Sequence, residues 1–322
     1  MLNTRILASA LTVFAGIGLL NAAQAANGAD SCCTLAGATK PPVYSTDIHS
    51  YMNPAVIRLQ EEAVSVPPRS FWSAVPVALR NADSGFGATT GLLHQHYVED
   101  SSGKTLDAEH GSLPFLRLGY QHQDQHFDYG LSLRYAFGSD RYDGALQTCT
   151  ASGCTVTPAS ATTGNKMLDL MLHMDYAFSP LPHLAILPGL FFGQHLWLRD
   201  IHGAGGYDER YSHRLFAAGL GVQYGIGPVT LALQGRYGST FSPHLTSTLN
   251  SAKFNLGSGA WSSVGLRATW VVNPSLRLFI GDEYTGFSYG ASPMVPVGGG
   301  LAVQEPHSRT QQNVIEVGLR AV

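Results

Sequence analysis

From Phe127 to Gly138 the chain reads FDYGLSLRYAFG. Successive side chains of a strand alternate between faces. Phe127, Tyr129, Leu131, Leu133, Tyr135 and Phe137 therefore share one side, and Asp128, Gly130, Ser132, Arg134, Ala136 and Gly138 the other. One face is wholly apolar. The other mixes charge with very small residues, which is unusual on the wet face of a soluble sheet and suits a crowded polar interior. The pattern recurs in LDLMLHMDYAF, where Leu168, Leu170, Leu172, Met174, Tyr176 and Phe178 share a face. It recurs again in LFAAGLGVQYGI, VTLALQGRYG and VGLRATWVV.

The connections between these runs alternate between tight and long. Tight ones fall at 124–126, 179–183, 225–228 and 273–274, and long polar ones at about 100–111, 139–164, 199–210, 242–256 and 290–308. Placing strands between them gives ten, at about 84–99, 112–123, 126–138, 166–178, 184–198, 211–225, 229–241, 257–272, 275–289 and 310–322. Short turns at one end and long loops at the other are the asymmetry of a membrane barrel. A repeated apolar face turned toward lipid requires the sheet to close, because hydrocarbon satisfies no backbone group. The competing arrangement, a soluble sandwich or lipocalin-like barrel with the apolar face inside, leaves the aromatics near strand ends without a reason. Tyr129, Phe137, Tyr176, Phe178, Tyr224, Tyr237, Trp270 and Tyr284 read as interfacial girdles.

Asp282 departs from the pattern. Alternation in SLRLFIGDEYTG turns it to the lipid side with Leu278 and Ile280, so either a bulge at Gly281 re-aims it or it sits near the extracellular rim.

The first 25 residues carry Arg5, an apolar core and an Ala-x-Ala site, and read as a cleaved signal peptide. Residues 26–83 precede the first strand. NPAVIRLQEE offers Asn53 as N-cap and Pro54 at the first helical position, and prolines interrupt the remainder. The segment is expected to be a periplasmic arm or plug; PPVYSTDIHSY and FWSAVPVAL, if taken as strands, would raise the count to twelve. The barrel itself occupies 84–322. With 36 glycines, 13% charged residues and no later apolar run of helical spanning length, the composition excludes a helical membrane protein. A net charge of −3 leaves no basic footprint for nucleic acid. Cys149 and Cys154 flank TASG and are expected to close a small loop disulfide.

These features resemble the Gram-negative outer-membrane β-barrel superfamily over residue 84 to the end. The last strand, NVIEVGLRAV, resembles its C-terminal assembly signal, with Val317 and Leu319 outward and Gly318 between, although Val322 stands where that signal carries an aromatic. The resemblance implies an all-β, antiparallel up-and-down transmembrane barrel in the outer membrane. Its implied partners are outer-membrane lipids, lipopolysaccharide and the barrel-assembly machinery, with small solutes as cargo.

The expected lumen lining is Arg117, Arg134, Asp169, Arg236, Arg267, Arg277, Glu283, Glu316 and Arg320, both signs paired in a bore close to the size that side chains fill. The function expected is a narrow channel or a structural membrane protein, without a cofactor; a surface enzyme or adhesin working through the long loops is the alternative. The extracellular rim is expected to hold His94, His96, Asp100, Glu109, His110, His195, Asp200, His202, Asp208, Glu209, His213 and His244. Of these, His94 and His96 share a strand face and are weak metal-ligand candidates. His122 and His126 around Asp124 make a lesser metal candidate at a periplasmic turn. No run stands out as a catalytic motif.

Overall fold

The computed structural model describes residues 70–101, 104–150, 153–203, 206–298 and 301–322. The expected signal peptide, the helix over 53–62 and the segment PPVYSTDIHSY lie outside them.

Ten long strands make the wall: β1 (Gly85–Ser101), β2 (Lys104–Gln123), β3 (Phe127–Thr150), β4 (Gly153–Tyr176), β6 (Leu184–Ile201), β7 (Tyr207–Ile226), β8 (Val229–Ser247), β10 (Ala260–Asn273), β11 (Leu276–Tyr289) and β14 (His307–Ala321). Four short ones decorate it: β5 (Phe178–Leu181), β9 (Lys253–Asn255), β12 (Val295–Gly298) and β13 (Leu301–Val303). Each long strand pairs antiparallel with the next, and β14 returns to β1 from Phe86↔Ala321 to Asp100↔His307, which closes the barrel and leaves no free edge in the ring.

The ten strands are those the alternation predicts, but several run farther. β1 and β2 pair up to Ser101↔Lys104, and β3 and β4 up to Thr150↔Gly153, so the expected loops at 100–111 and 139–164 are mostly hairpin. Beyond the lipid both faces of a strand meet water. The apolar period therefore stops while backbone pairing continues. Cys149 and Cys154 stand directly opposite one another near the tip of that hairpin.

The outward face is apolar as the period requires: Tyr129, Leu131, Leu133, Leu170, Leu172, Phe216, Leu220, Val264, Trp270, Ile315 and Val317 are all exposed. Inward positions are buried or half-buried, so the structure is a transmembrane barrel with its core inside. Phe178 keeps its expected face, opposite Ile186 of β6, but is covered rather than exposed. β4 ends at Tyr176, and Phe178 is covered by Phe71 and Trp72, with ring centroids 5.1 Å and 4.7 Å away. Asp282 receives neither expected remedy. β11 pairs with β10 and β14 without a shift at Gly281, and Asp282 sits midway along the strand opposite Leu266 and Ile315.

The tight turns close the opposite end. Asp124 Oδ1 accepts the N–H groups of His126 and Phe127, each at 2.8 Å, and these hold its carboxyl below the ordinary range. That is a turn-forming role. His126 stacks on Tyr176, and His122 tilts against Tyr129.

The segment FWSAVPVAL is not a strand: it turns at Phe71 and Trp72 and enters a helix, α1 (Val77–Asp83). Pro76 supplies the fixed φ that opens a helix, and its missing N–H costs no ladder bond there. Val75 N–H donates to Gln125 O and Ser179 N–H to Ser73 O, tying the approach to two periplasmic turns. Leu79 packs with Val75, Ala177, Ala185 and Leu187.

Candidate functional site

The inward residues sort into three levels. At the periplasmic level α1 lies across the bore. Asp83 Oδ1 meets Arg320 at 2.9 Å and Arg267 at 3.5 Å, and Asp83 Oδ2 accepts Gln223 Nε2 at 2.6 Å. Burial alone would raise the Asp83 carboxyl; the two guanidinium groups and Gln223 outweigh it and hold it below its ordinary value. Arg320 and Arg277 also donate to Ala82 O and Asn81 O, which caps carbonyls at the helix C-terminus.

The middle level is an ion-pair network. Arg117 reaches Glu316 at 2.8 Å and Glu283 at 3.4 Å, and Arg236 reaches Glu283 at 3.2 Å. Ser263 Oγ donates to the same Glu283 at 2.9 Å. Arg134 pairs with Asp169 at 2.8 Å and donates to Gln312. The other oxygen of Asp169 accepts His195 Nδ1 at 2.5 Å.

The upper level is a buried aromatic and acidic cap. Arg199 meets Glu209 at 2.5 Å, Glu109 at 2.7 Å and Glu99 at 3.7 Å, while its guanidinium lies 4.5 Å from the Tyr97 ring centroid and 5.3 Å from that of Trp197. Tyr211 donates to Glu305 at 2.8 Å, and Tyr289 stacks on Tyr211 at 5.8 Å. Val295, Val297 and Val303 of the β12–β13 hairpin pack against this core, and so do Phe254 and Leu256 of the preceding connection. Two extracellular loops thus fold over the mouth. Beneath them a cavity of about 220 Å³ runs from Asp83 and Arg320 to His195 and His213.

Of the residues expected in the lumen, Arg117, Arg236, Glu283 and Glu316 fall into one network and Arg134 with Asp169 into a second. Arg267 and Arg320 turn down to Asp83, and Arg277 is spent on backbone carbonyls at the periplasmic edge, including Asn273 O at 2.5 Å. The expected rim set divides. Glu109, His195, Glu209 and His213 point inward and are buried, because they occupy odd positions that share the face of Arg199 and Trp197. His94, His96 and His110 point outward on the wall, with His96 directly across from His110. His94 spends Nδ1 on Ser112 Oγ at 2.7 Å. Among the described residues, the cluster of three or more metal-type donors is elsewhere, at Asp128, His173 and Asp175.

Sequence reasoning missed the cap. Its signal was present in the inward positions Tyr97, Phe191, Trp197, Tyr211, Trp261, Phe287 and Tyr289, an aromatic series on the face opposite the lipid.

No protein-family model matches the chain, and the search of curated proteins found no match. Solved structures similar to it are outer-membrane barrels. The outer membrane protease OmpT from Escherichia coli is 10% identical, with 74% of this chain and 97% of that one covered and a TM-score of 0.48. The transport unit of the autotransporter AIDA-I from Escherichia coli is 10% identical, covering 74% and 90%, with a TM-score of 0.38. The translocator domain of the autotransporter NalP from Neisseria meningitidis is 12% identical, covering 74% and 88%, with a TM-score of 0.36.

Proposed function

We propose that this chain is an exported outer-membrane channel protein for small polar solutes, held shut at rest. One observation carries the reading: charged residues of both signs line a cavity that α1 bounds below and the Arg199 cap bounds above. A ten-stranded bore is close to the size that side chains fill, so closure needs only these pairs, and an open path needs α1 or the cap to move. Lipid and lipopolysaccharide surround the apolar wall in this reading, and the assembly machinery inserts it. No cofactor takes part.

Single-channel recording of the refolded mature chain tests it. The full chain should show conductance near baseline, and deletion of residues 26–80 should raise it while the strands stay assembled. A wide, steady pore in the full chain contradicts closure; baseline current in both proteins contradicts a channel and leaves a structural barrel.

A second reading, a surface enzyme, rests on the hydrogen bond between His94 Nδ1 and Ser112 Oγ on the outer wall. A hydroxyl beside an imidazole is the arrangement of nucleophile and base, and Asn313 lies directly across the ladder from His94. Labelling by a fluorophosphonate probe that disappears in Ser112→Ala would favour it over the channel.

A further inference from the structure

At the periplasmic end of the lumen β3 and β4 set two carboxylates against each other. Asp128 and Asp175 are directly paired across the ladder, an arrangement that like charges make unfavourable. Both are buried, 3% and 1% exposed. Among the described residues no lysine or arginine forms an ion pair with either. Asp128 accepts only the neutral amide of Gln121, and Asp175 Oδ1 is buried with no hydrogen-bond partner. His173, two residues before Asp175 and on the same face, brings Nε2 to 3.9 Å from a carboxylate oxygen of each. The three donors lie within 4.8 Å of one another, and Asp128 and His173 open onto the lumen cavity.

The surroundings are shaped to hold these groups. A Cβ on Gly130 would strike the His173 ring, and one on Gly189 would strike the Asp175 carboxylate. Glycine at both inward positions is what lets the imidazole and the carboxylate lie flat against the wall. Phe191 stacks on the other side of His173 at 6.0 Å. Buried anions without a counter-charge are costly, and a cation shared by them removes the cost.

We propose that Asp128, His173 and Asp175 bind one divalent transition ion, of which Zn²⁺ is the best chemical match. One imidazole nitrogen and two carboxylate oxygens form a donor set that Zn²⁺ accepts at about 2.0–2.2 Å, and small rotations of the carboxylates bring all three into reach. The ion would pin β3 to β4 below the midplane network. It is linked to the plug through a relay, because Gln121 holds Asp128 with its amide nitrogen and accepts Arg320 Nη2 at 3.3 Å, and Arg320 holds Asp83. The site is independent of whether the lumen conducts.

The test is titration of the chelator-treated, refolded mature chain with Co²⁺, read by visible d–d absorption and by equilibrium dialysis. One equivalent should bind, and Asp175→Asn and His173→Gln should each weaken binding at least about tenfold. Heat-dependent gel mobility confirms that each variant has folded; Asp128→Asn serves if one has not. Absence of binding to the parent chain overturns the proposal. So does binding that survives in all three variants and is lost instead when His94, His96 and His110 are replaced by alanine or when the cysteines are alkylated.

Discussion

Arg199 and Glu109 meet at 2.7 Å with side chains 1% and 0% exposed, at the centre of a cap in which Glu209 and Glu99 share the same guanidinium. One cation therefore serves three buried anions. Removing it strands all of them, whereas removing one acid strands none.

Replacing Arg199 should accordingly cost far more than replacing Glu99. Arg199→Leu is expected to destabilise the barrel by about 3–5 kcal/mol, the range for breaking a buried pair. Glu99→Gln should cost less than about 1 kcal/mol, since the amide still accepts Tyr97 and the remaining charges balance better. Urea unfolding in liposomes followed by tryptophan fluorescence measures both; equal effects would mean that the cap is not organised around Arg199.

The lid over the cap carries a pH dependence. Burial, and then the charges of Glu99 and Glu209, push the Glu305 carboxyl up to about 9, so the docked loop keeps a proton that a released loop gives up. Docking is strongest below the ordinary carboxylate range. It weakens as pH climbs from there to about 9, by about 1.4 kcal/mol per pH unit at most. Proteolytic cleavage within 290–306, corrected with an unstructured reference peptide, should accelerate across that window. Glu305→Gln should flatten the dependence and keep the lid down.

Asp282 should be a standing cost. It faces outward midway along β11 between Leu266 and Ile315, and its Oδ1 has no hydrogen-bond partner. An acid on the lipid face costs less than the basic residues that lose about 2–4 kcal/mol at the midplane, so Asp282→Leu should stabilise by about 1–2 kcal/mol. Unfolding in liposomes gives the sign directly. Loss of stability would mean that Asp282 has a partner in the membrane.

Cys149 and Cys154 are opposed across the ladder near the tip of the β3–β4 hairpin, which places them for a disulfide in exported protein. Mass spectrometry of non-reduced peptides should recover them linked, and reduction should leave the barrel assembled because the bond closes only a hairpin tip. Two free thiols would refute the link.

The wall was legible in the sequence because lipid imposes a strict two-residue period on one face, and runs such as Phe127–Phe137 obey it without exception. Strand ends were not legible. Above the membrane, hairpins such as Asp140–Thr150 pair through backbone groups that leave no mark in hydropathy. The charged midsection could be assigned to the lumen by parity, as with Arg117 and Glu283, but its partners could not, since the registers across ten strands decide which arginine meets which acid. The cap needed more still. His195 and His213 looked like rim residues by position along the chain, but both turn inward, where Asp169, Phe287 and Tyr289 of the wall surround them. The helix α1 was hidden by its composition, because Phe71 to Leu79 is as apolar as a strand and its role depends on Arg267, Arg277 and Arg320 meeting its C-terminus.

The central claim, that the repeated apolar face looks at lipid and the charged face at a packed lumen, is tested most directly along β3. Single cysteines at each position from Phe127 to Gly138, labelled with a small fluorophore in the refolded chain, should be quenched by brominated acyl chains with a period of two. Quenching should peak at Tyr129, Leu131, Leu133 and Tyr135 and be weak at Gly130, Ser132, Arg134 and Ala136. Quenching of the second set instead, or none at either set in a chain that stays monomeric and soluble without detergent, would contradict it.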